Sequence, residues 1–130
     1  MSSFSNYDKF VYKGTDLEAM SFAQNYHNWI YELISAHLGK SIAEIGSGVG
    51  NFTKFLLREK DVKIDAYEPC SKMHNKNMYA LHKEVNCIND NFESKSSTRL
   101  NFYDSIVFIN VLEHIEDDIS ALKTSHRILN

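Results

Sequence analysis

Three of the five glycines in this 130-residue sequence fall at alternate positions, Gly46, Gly48 and Gly50, and a carboxylate, Glu44, stands two residues ahead of the first. Glycine at that density serves a backbone that takes positive φ or lets a ligand approach closer than a Cβ permits. The turn around Ser47 and Asn51 is not a P-loop, because no Gly-Lys-Ser/Thr follows. Nor is it the dinucleotide fingerprint G-x-G-x-x-G, whose third glycine would fall at residue 51, which is Asn. Glu68 ends the next apolar run, where a carboxylate can accept hydrogen bonds from both hydroxyls of an adenosine ribose. Asp90 follows the third run, placed to meet an adenine amino group. One acid at a strand end is ordinarily a solvated loop residue; three at successive strand ends beside a glycine turn are hard to account for that way. His114, after the fourth run, is the best-placed general base, although Glu113 and His114 equally suit the task of orienting the loop and capping the next helix. Tyr12, Tyr26 and His27 could close the site from the N-terminal side, against the plainer role of core aromatics. The remaining histidines, His37, His74, His82 and His126, form no ligand-spaced pair, so no metal is expected. Asn51-Phe52-Thr53 matches a glycosylation sequon but lies inside the turn, and is set aside.

Positioning such a site requires strands that end together, and the apolar pattern supplies them. Thr15 and Glu18 have capping-box spacing. Leu17, Met20, Ala23, Tyr26, Trp29, Ile30, Leu33, Ile34 and Leu38 then recur at three- and four-residue steps, predicting one helix with a broad apolar face, closed by Gly39 as a left-handed C′ residue. Beyond it, Ser41 to Ile45 reads as a strand, Asn51 to Glu59 as a helix with Phe52, Phe55 and Leu56 inward, and Val62 to Tyr67 as a strand. A helix from Pro69 through about Lys83, a strand from Val85 to Asn89 and a polar surface connection from Asn91 to Asn101 follow. Ser105 to Asn110 is apolar at almost every position, as for a strand covered on both faces. Asp117 starts a last helix carrying Ile119, Leu122, Ile128 and Leu129. Strands alternating with helices predict an α/β fold with a parallel sheet and crossover helices. Residues 1–40 read as an arm and capping helix, and residues 41–130 as the ligand-binding domain.

The composition narrows the classes. With 43% hydrophobic and 24% charged residues and a net charge of -3, the chain is neither disordered nor a disulfide scaffold. The absence of a basic balance gives no case for nucleic acid. The longest apolar run, Ser105 to Leu112, is far short of the about 20 residues a spanning helix needs. No secretory signal pattern opens the sequence, and Cys70 and Cys87 form no CxxC pair, so a reducing cytoplasm is the expected compartment.

Five stretches, AEIGSGVGNFT (Ala43 to Thr53), AYEPCSKM (Ala66 to Met73), INDNFE (Ile88 to Glu93), YDSIVFINVLEHIEDD (Tyr103 to Asp118) and ALKTSHRIL (Ala121 to Leu129), stand in an order and spacing that resembles the class I S-adenosylmethionine-dependent methyltransferases. The resemblance implies a Rossmann-like sheet of strand order 3-2-1-4 with S-adenosyl-L-methionine as cofactor. It implies that Gly46, Gly48 and Gly50 line the methionine part and that Glu68 holds the ribose, with Glu44, Ser47 and Pro69 also among the cofactor-binding residues. Asp90 with the Asn91-Phe92 backbone would frame the adenine, and Asn110 would lie below the sulfonium. The segment YKGTDLEAMSFAQNYHNWI, with Tyr12 and Tyr26, is similar to a capping helix over the cofactor. Neither the residues nor the resemblance identifies the acceptor, and a small molecule or glycan precursor is the default expectation. Family members continue into fifth to seventh strands that these residues do not include, which implies an open fourth-strand edge prone to self-association or partner pairing. Two alternatives stay open: a truncated or split cofactor-binding module that needs a partner chain, and a nicotinamide-dependent Rossmann oxidoreductase.

Overall fold

The computed structural model describes residues 16–96 and 102–130. The aromatic arm, Tyr12, the capping-box partner Thr15 and the side chains of Leu17 and Met20 lie outside the described residues.

Four short strands, β1 (Ser41–Ile45), β2 (Lys63–Tyr67), β3 (Val85–Ile88) and β4 (Ser105–Phe108), form one parallel sheet in the order β3-β2-β1-β4, as expected. Register places Glu44 between Ala66 on β2 and Val107 on β4. β1 is buried from Ile42 onward because apolar layers cover both faces. On one face Ile42, Phe52, Phe55, Leu56, Ile64 and Val107 pack together; on the other, Ala43, Ile45, Tyr67, Phe92, Tyr103 and Ile128 do so. Each fully buried side chain of this size contributes roughly 1.5–3 kcal/mol.

The helices are α1 (Asp16–Ile34), α2 (Thr53–Leu56), α3 (Ser71–Asn75), α4 (Phe92–Ser96) and α5 (Asp118–Ile128). Several differ from expectation. In α1 the packed side is His27, Ile30, Tyr31 and Ile34, which meet Phe52 and Phe55, so Tyr26, Trp29 and Leu33 of the broad apolar face turn outward. Gly39 is not left-handed; a Cβ there would fall 2.4 Å from the Asp104 Cβ, so close approach is what requires glycine. α2 is shorter than predicted, its end tightened by i→i−3 bonds such as Arg58 N–H to the Phe55 carbonyl.

The helix expected to reach Lys83 stops at Asn75. The Asn77 side chain accepts the Tyr79 N–H at 2.8 Å and Met78 N–H donates to the Val49 carbonyl, bonds that compete with the helical ladder. The polar stretch after Asp90 opens as α4, whose first turn is bound by the Asn91 side chain. α5 buries Ala121, Thr124, Ser125 and Ile128, whereas Ile119 and Leu122 are exposed; the buried Ser125 hydroxyl is satisfied by the Ala121 carbonyl. Asp117 caps this helix through Ser120 N–H. The outer edge of β4 carries a parallel bridge just ahead of the strand, Tyr103 with Leu129. No helix among the described residues is long and apolar enough to cross a membrane.

Candidate functional site

In an open parallel sheet, ligands sit outside the carboxyl ends of the strands where the strand order reverses, which here is the crevice between β1 and β4. The glycine turn leaves β1 at that point. Gly46, Gly48 and Gly50 all have positive φ, at 73°, 58° and 101°. Side chains would also collide: a Cβ on Gly46 would come within 2.6 Å of Val111 and one on Gly50 within 2.9 Å of Tyr79. Val111, Met73, Asn77 and Tyr79 therefore form a wall against the turn. None of these four was singled out by the sequence: Asn77 and Tyr79 reach the turn through the early end of α3, and Met73 and Val111 through packing across the fold, neither of which has a local pattern.

The turn's own hydrogen bonds run inward. Gly46 and Ser47 N–H donate to the Tyr67 carbonyl, Gly50 N–H to the Ser47 carbonyl, and Gly48 N–H to Glu68 Oε1 at 2.9 Å. The second Glu68 oxygen accepts Cys70 N–H, also at 2.9 Å. The expected ribose carboxylate is thus buried and clasps the glycine turn to the end of β2. Each carboxylate oxygen retains further lone-pair capacity. Asn89 donates to the Glu68 and Pro69 carbonyls, tying the ends of β2 and β3 together.

Glu44 is fully enclosed beneath the turn, where Thr53 Oγ1 donates to it at 2.5 Å. Burial pushes its carboxyl up to about 8; the Thr53 hydrogen bond opposes this and the nearby Glu68 charge adds to it. Neither acid has a Lys, Arg or His partner among the described residues. Ser47 is 6% exposed and its hydroxyl has no hydrogen-bond partner. An orphaned buried hydroxyl costs about 1–3 kcal/mol, which points to a group that a ligand completes.

The rest of the predicted set surrounds this turn unevenly. Asp90 is half-buried and accepts Asn91 N–H, while the Phe92 ring is core, edge-on to Tyr67 and Phe108. Asn110, at the end of β4, takes φ 56° and accepts a long 3.4 Å bond from Tyr26 Oη, which brings α1 to the rim of the site. His114 is exposed, with Glu113 Oε1 3.8 Å from its Nε2, and stands on a short 3-10 turn directly after Val111. A cleft of about 340 Å³ lies elsewhere, at the amino ends of the strands, lined by Lys40, Asp61, Lys63, Tyr103 and Asp104. Volume and chemistry disagree here; the strand-order reversal, the positive-φ turn and the orphaned hydroxyl favour the carboxyl edge.

Inward-facing N–H groups and unpaired buried acids suit a cationic or neutral ligand better than a phosphate, and the chain is a Rossmann-like α/β domain by fold. A methyltransferase-domain family profile matches residues 17–130, and the chain belongs to that family. The class I resemblance of the glycine turn and the NVLEHIEDD stretch is borne out at this level, and nothing in the match favours an oxidoreductase. Among solved structures, an S-adenosylmethionine-dependent methyltransferase from Leishmania major is 26% identical, with TM-score 0.65, covering 92% of this chain and 50% of that one. The plantazolicin methyltransferase BpumL in complex with SAH is 20% identical, with TM-score 0.64, covering 97% and 47%. The [4+2]-cyclase SpnF shares the fold at 13% identity, with TM-score 0.65, covering 78% and 40%. The chain spans half or less of the length of each of these three structures. No curated protein matches by sequence.

Proposed function

We propose that this chain binds S-adenosyl-L-methionine at the glycine turn and, as the catalytic part of a methyltransferase, serves methyl transfer to a small-molecule acceptor. The observation that carries the reading is the pairing of a phosphate-averse turn with two buried carboxylates, Glu44 and Glu68, that lack a protein cation. A dinucleotide would bring phosphate charge against both; a sulfonium ligand brings the opposite sign.

The bound cofactor supplies the methyl group as electrophile for an in-line displacement, so the protein's part is alignment and, for an oxygen or nitrogen acceptor, proton removal. Glu68, fixed by Gly48 and Cys70 N–H, presents its remaining lone pairs to the ribose. Asp90 and the Asn91-Phe92 backbone hold the adenine, anchored by the packed Phe92 ring. Ser47 offers its free hydroxyl to the methionine part. Tyr26 and Asn110 shield the reacting end from solvent, and His114 is the base where one is used.

Isothermal titration with S-adenosylmethionine, S-adenosylhomocysteine and NADH tests the reading. Binding of the first two and not the third is expected, and Glu68→Ala should weaken it at least tenfold, the equivalent of about 1.4 kcal/mol. NADH binding alone, or no binding of either sulfur ligand, overturns it.

A further inference from the structure

Glu44 and Glu68 flank one glycine turn, yet they are not equivalent. Glu68 touches the turn directly and its two oxygens accept backbone N–H groups. Glu44 sits one layer deeper, on β1 itself, and its hydrogen-bond donor is the Thr53 hydroxyl. It reaches a ligand at the turn only through its charge. We propose that Glu44 is a specificity-determining residue that exchanges a proton with solvent in step with the charge of the bound cofactor, favouring the sulfonium over the thioether product. The proposal rests on the reading of the turn as an S-adenosylmethionine site.

The geometry makes this exchange hard to avoid. A carboxylate enclosed on β1 between Ala66 and Val107, with apolar Ile42, Phe52 and Phe55 on the same face, is strongly disfavoured as an anion unless a cation approaches. α2 offers Thr53, with Lys54 and Arg58 drawn outward over the Phe55 ring. β2 ends in Glu68, which adds repulsion, and β3 carries Cys87, whose thiol is pushed up by burial and then by Glu44. α1 contributes His27, edge-on to Phe52 and Phe55, which burial holds below its ordinary range. β4 contributes apolar Val107. Among the described residues no cation neutralises Glu44, so a positively charged ligand is the natural counter-ion.

The proton balance closes. Glu44 releases one proton to solvent when a sulfonium ligand enters, and takes one back when the sulfur becomes a neutral thioether. The consequence is a site that holds the methyl donor more tightly than the spent product as pH rises, and that couples product release to proton uptake.

Titration calorimetry in buffers of different ionisation enthalpy, between pH 6 and pH 9, reads the exchange without catalysis. Wild-type protein should release up to about one proton per S-adenosylmethionine near neutrality, with affinity rising by as much as about tenfold per pH unit before levelling off above the Glu44 range. S-adenosylhomocysteine should show a smaller release. The ligand's own amino group titrates in both proteins, so the comparison is with Glu44→Gln, which keeps the shape and removes the ionisation. Glu44→Gln should lose the proton release and cut the preference for the sulfonium by about tenfold or more. Thr53→Val, which removes the hydroxyl that stabilises the anion, should move the affinity profile to higher pH, with circular dichroism confirming the fold of both variants. Unchanged proton release and ligand preference in Glu44→Gln overturns the proposal while leaving the binding site intact; absence of binding by wild type overturns the binding-site reading and this inference with it.

Discussion

The two edges of the sheet solve the same problem differently. Both gather acids and aromatic residues where strands stop, but at the amino edge the polar groups satisfy one another. Asp104 accepts Lys40 N–H, Ser41 N–H and the Asn130 amide, and Tyr103 Oη lies 2.6 Å from both Tyr67 Oη and Asp65 Oδ2. At the carboxyl edge the backbone is held at positive φ, a hydroxyl is left unpartnered and two acids are buried without counter-ions. A cleft of about 340 Å³ lies at the self-sufficient edge, and the proposed site lies at the incomplete one. Unfinished hydrogen bonding is a better guide to where a ligand goes than empty volume.

The comparison can be broken from either side. Gly46→Val is expected to have the largest effect, because it joins a positive φ to a Cβ 2.6 Å from Val111. It should lower stability by about 3 kcal/mol or more and abolish cofactor binding, as read by thermal unfolding and titration. Retained binding would show that the turn is not the contact surface.

The edges should also answer pH with opposite signs. Glu44 is raised from its ordinary 4.5 to about 8, so its contribution to stability is complete below about pH 4.5 and is lost as pH rises toward 8, at up to about 1.4 kcal/mol per pH unit. Asp104 is held below the usual carboxylate range by Ser41 N–H, Asn130 and Lys40 N–H, so its contribution is present above its unfolded value and is lost as pH falls through the folded one. Being exposed, it is worth less, roughly 1 kcal/mol after solvent screening. Urea unfolding across pH should show Glu44→Gln flattening the fall in stability between about pH 4.5 and pH 8 and Asp104→Asn flattening the limb at lower pH, with cofactor binding unchanged in the second. The smallest effect expected is from Asp61→Gly at the amino edge, which relieves φ 57° and should raise stability by at most about 1 kcal/mol without touching binding.

Much of this contrast is legible in the sequence, for physical reasons that differ by residue. The four strands are marked by short apolar runs, and Gly46, Gly48 and Gly50 by the conformations only glycine adopts cheaply. Glu44, Glu68 and Asp90 are found by strand counting, which gives their places at the strand ends but not their burial or partners. Glu68 therefore reads as a free ribose acceptor, whereas the fold uses it first to clasp the turn. Asn77 and Tyr79 leave no signal because the helix expected through Lys83 ends at Asn75, where side-chain hydrogen bonding outcompetes the ladder, and Val111 and Met73 leave none because they meet the turn only through the tertiary fold. Trp29 and Leu33 mislead for the opposite reason: the apolar stripe on α1 is wider than the surface it covers.

Amide chemical shifts during titration with S-adenosylhomocysteine read whether the incomplete edge or the amino-edge cleft receives the cofactor. Perturbations are expected to concentrate at Gly46 to Gly50, Glu68 to Cys70, Asp90 to Phe92 and Asn110 to Val111, with Lys40, Ser41, Asp61 and Asp104 still. Shifts confined to the latter group would place the ligand in the amino-edge cleft and contradict the proposed site.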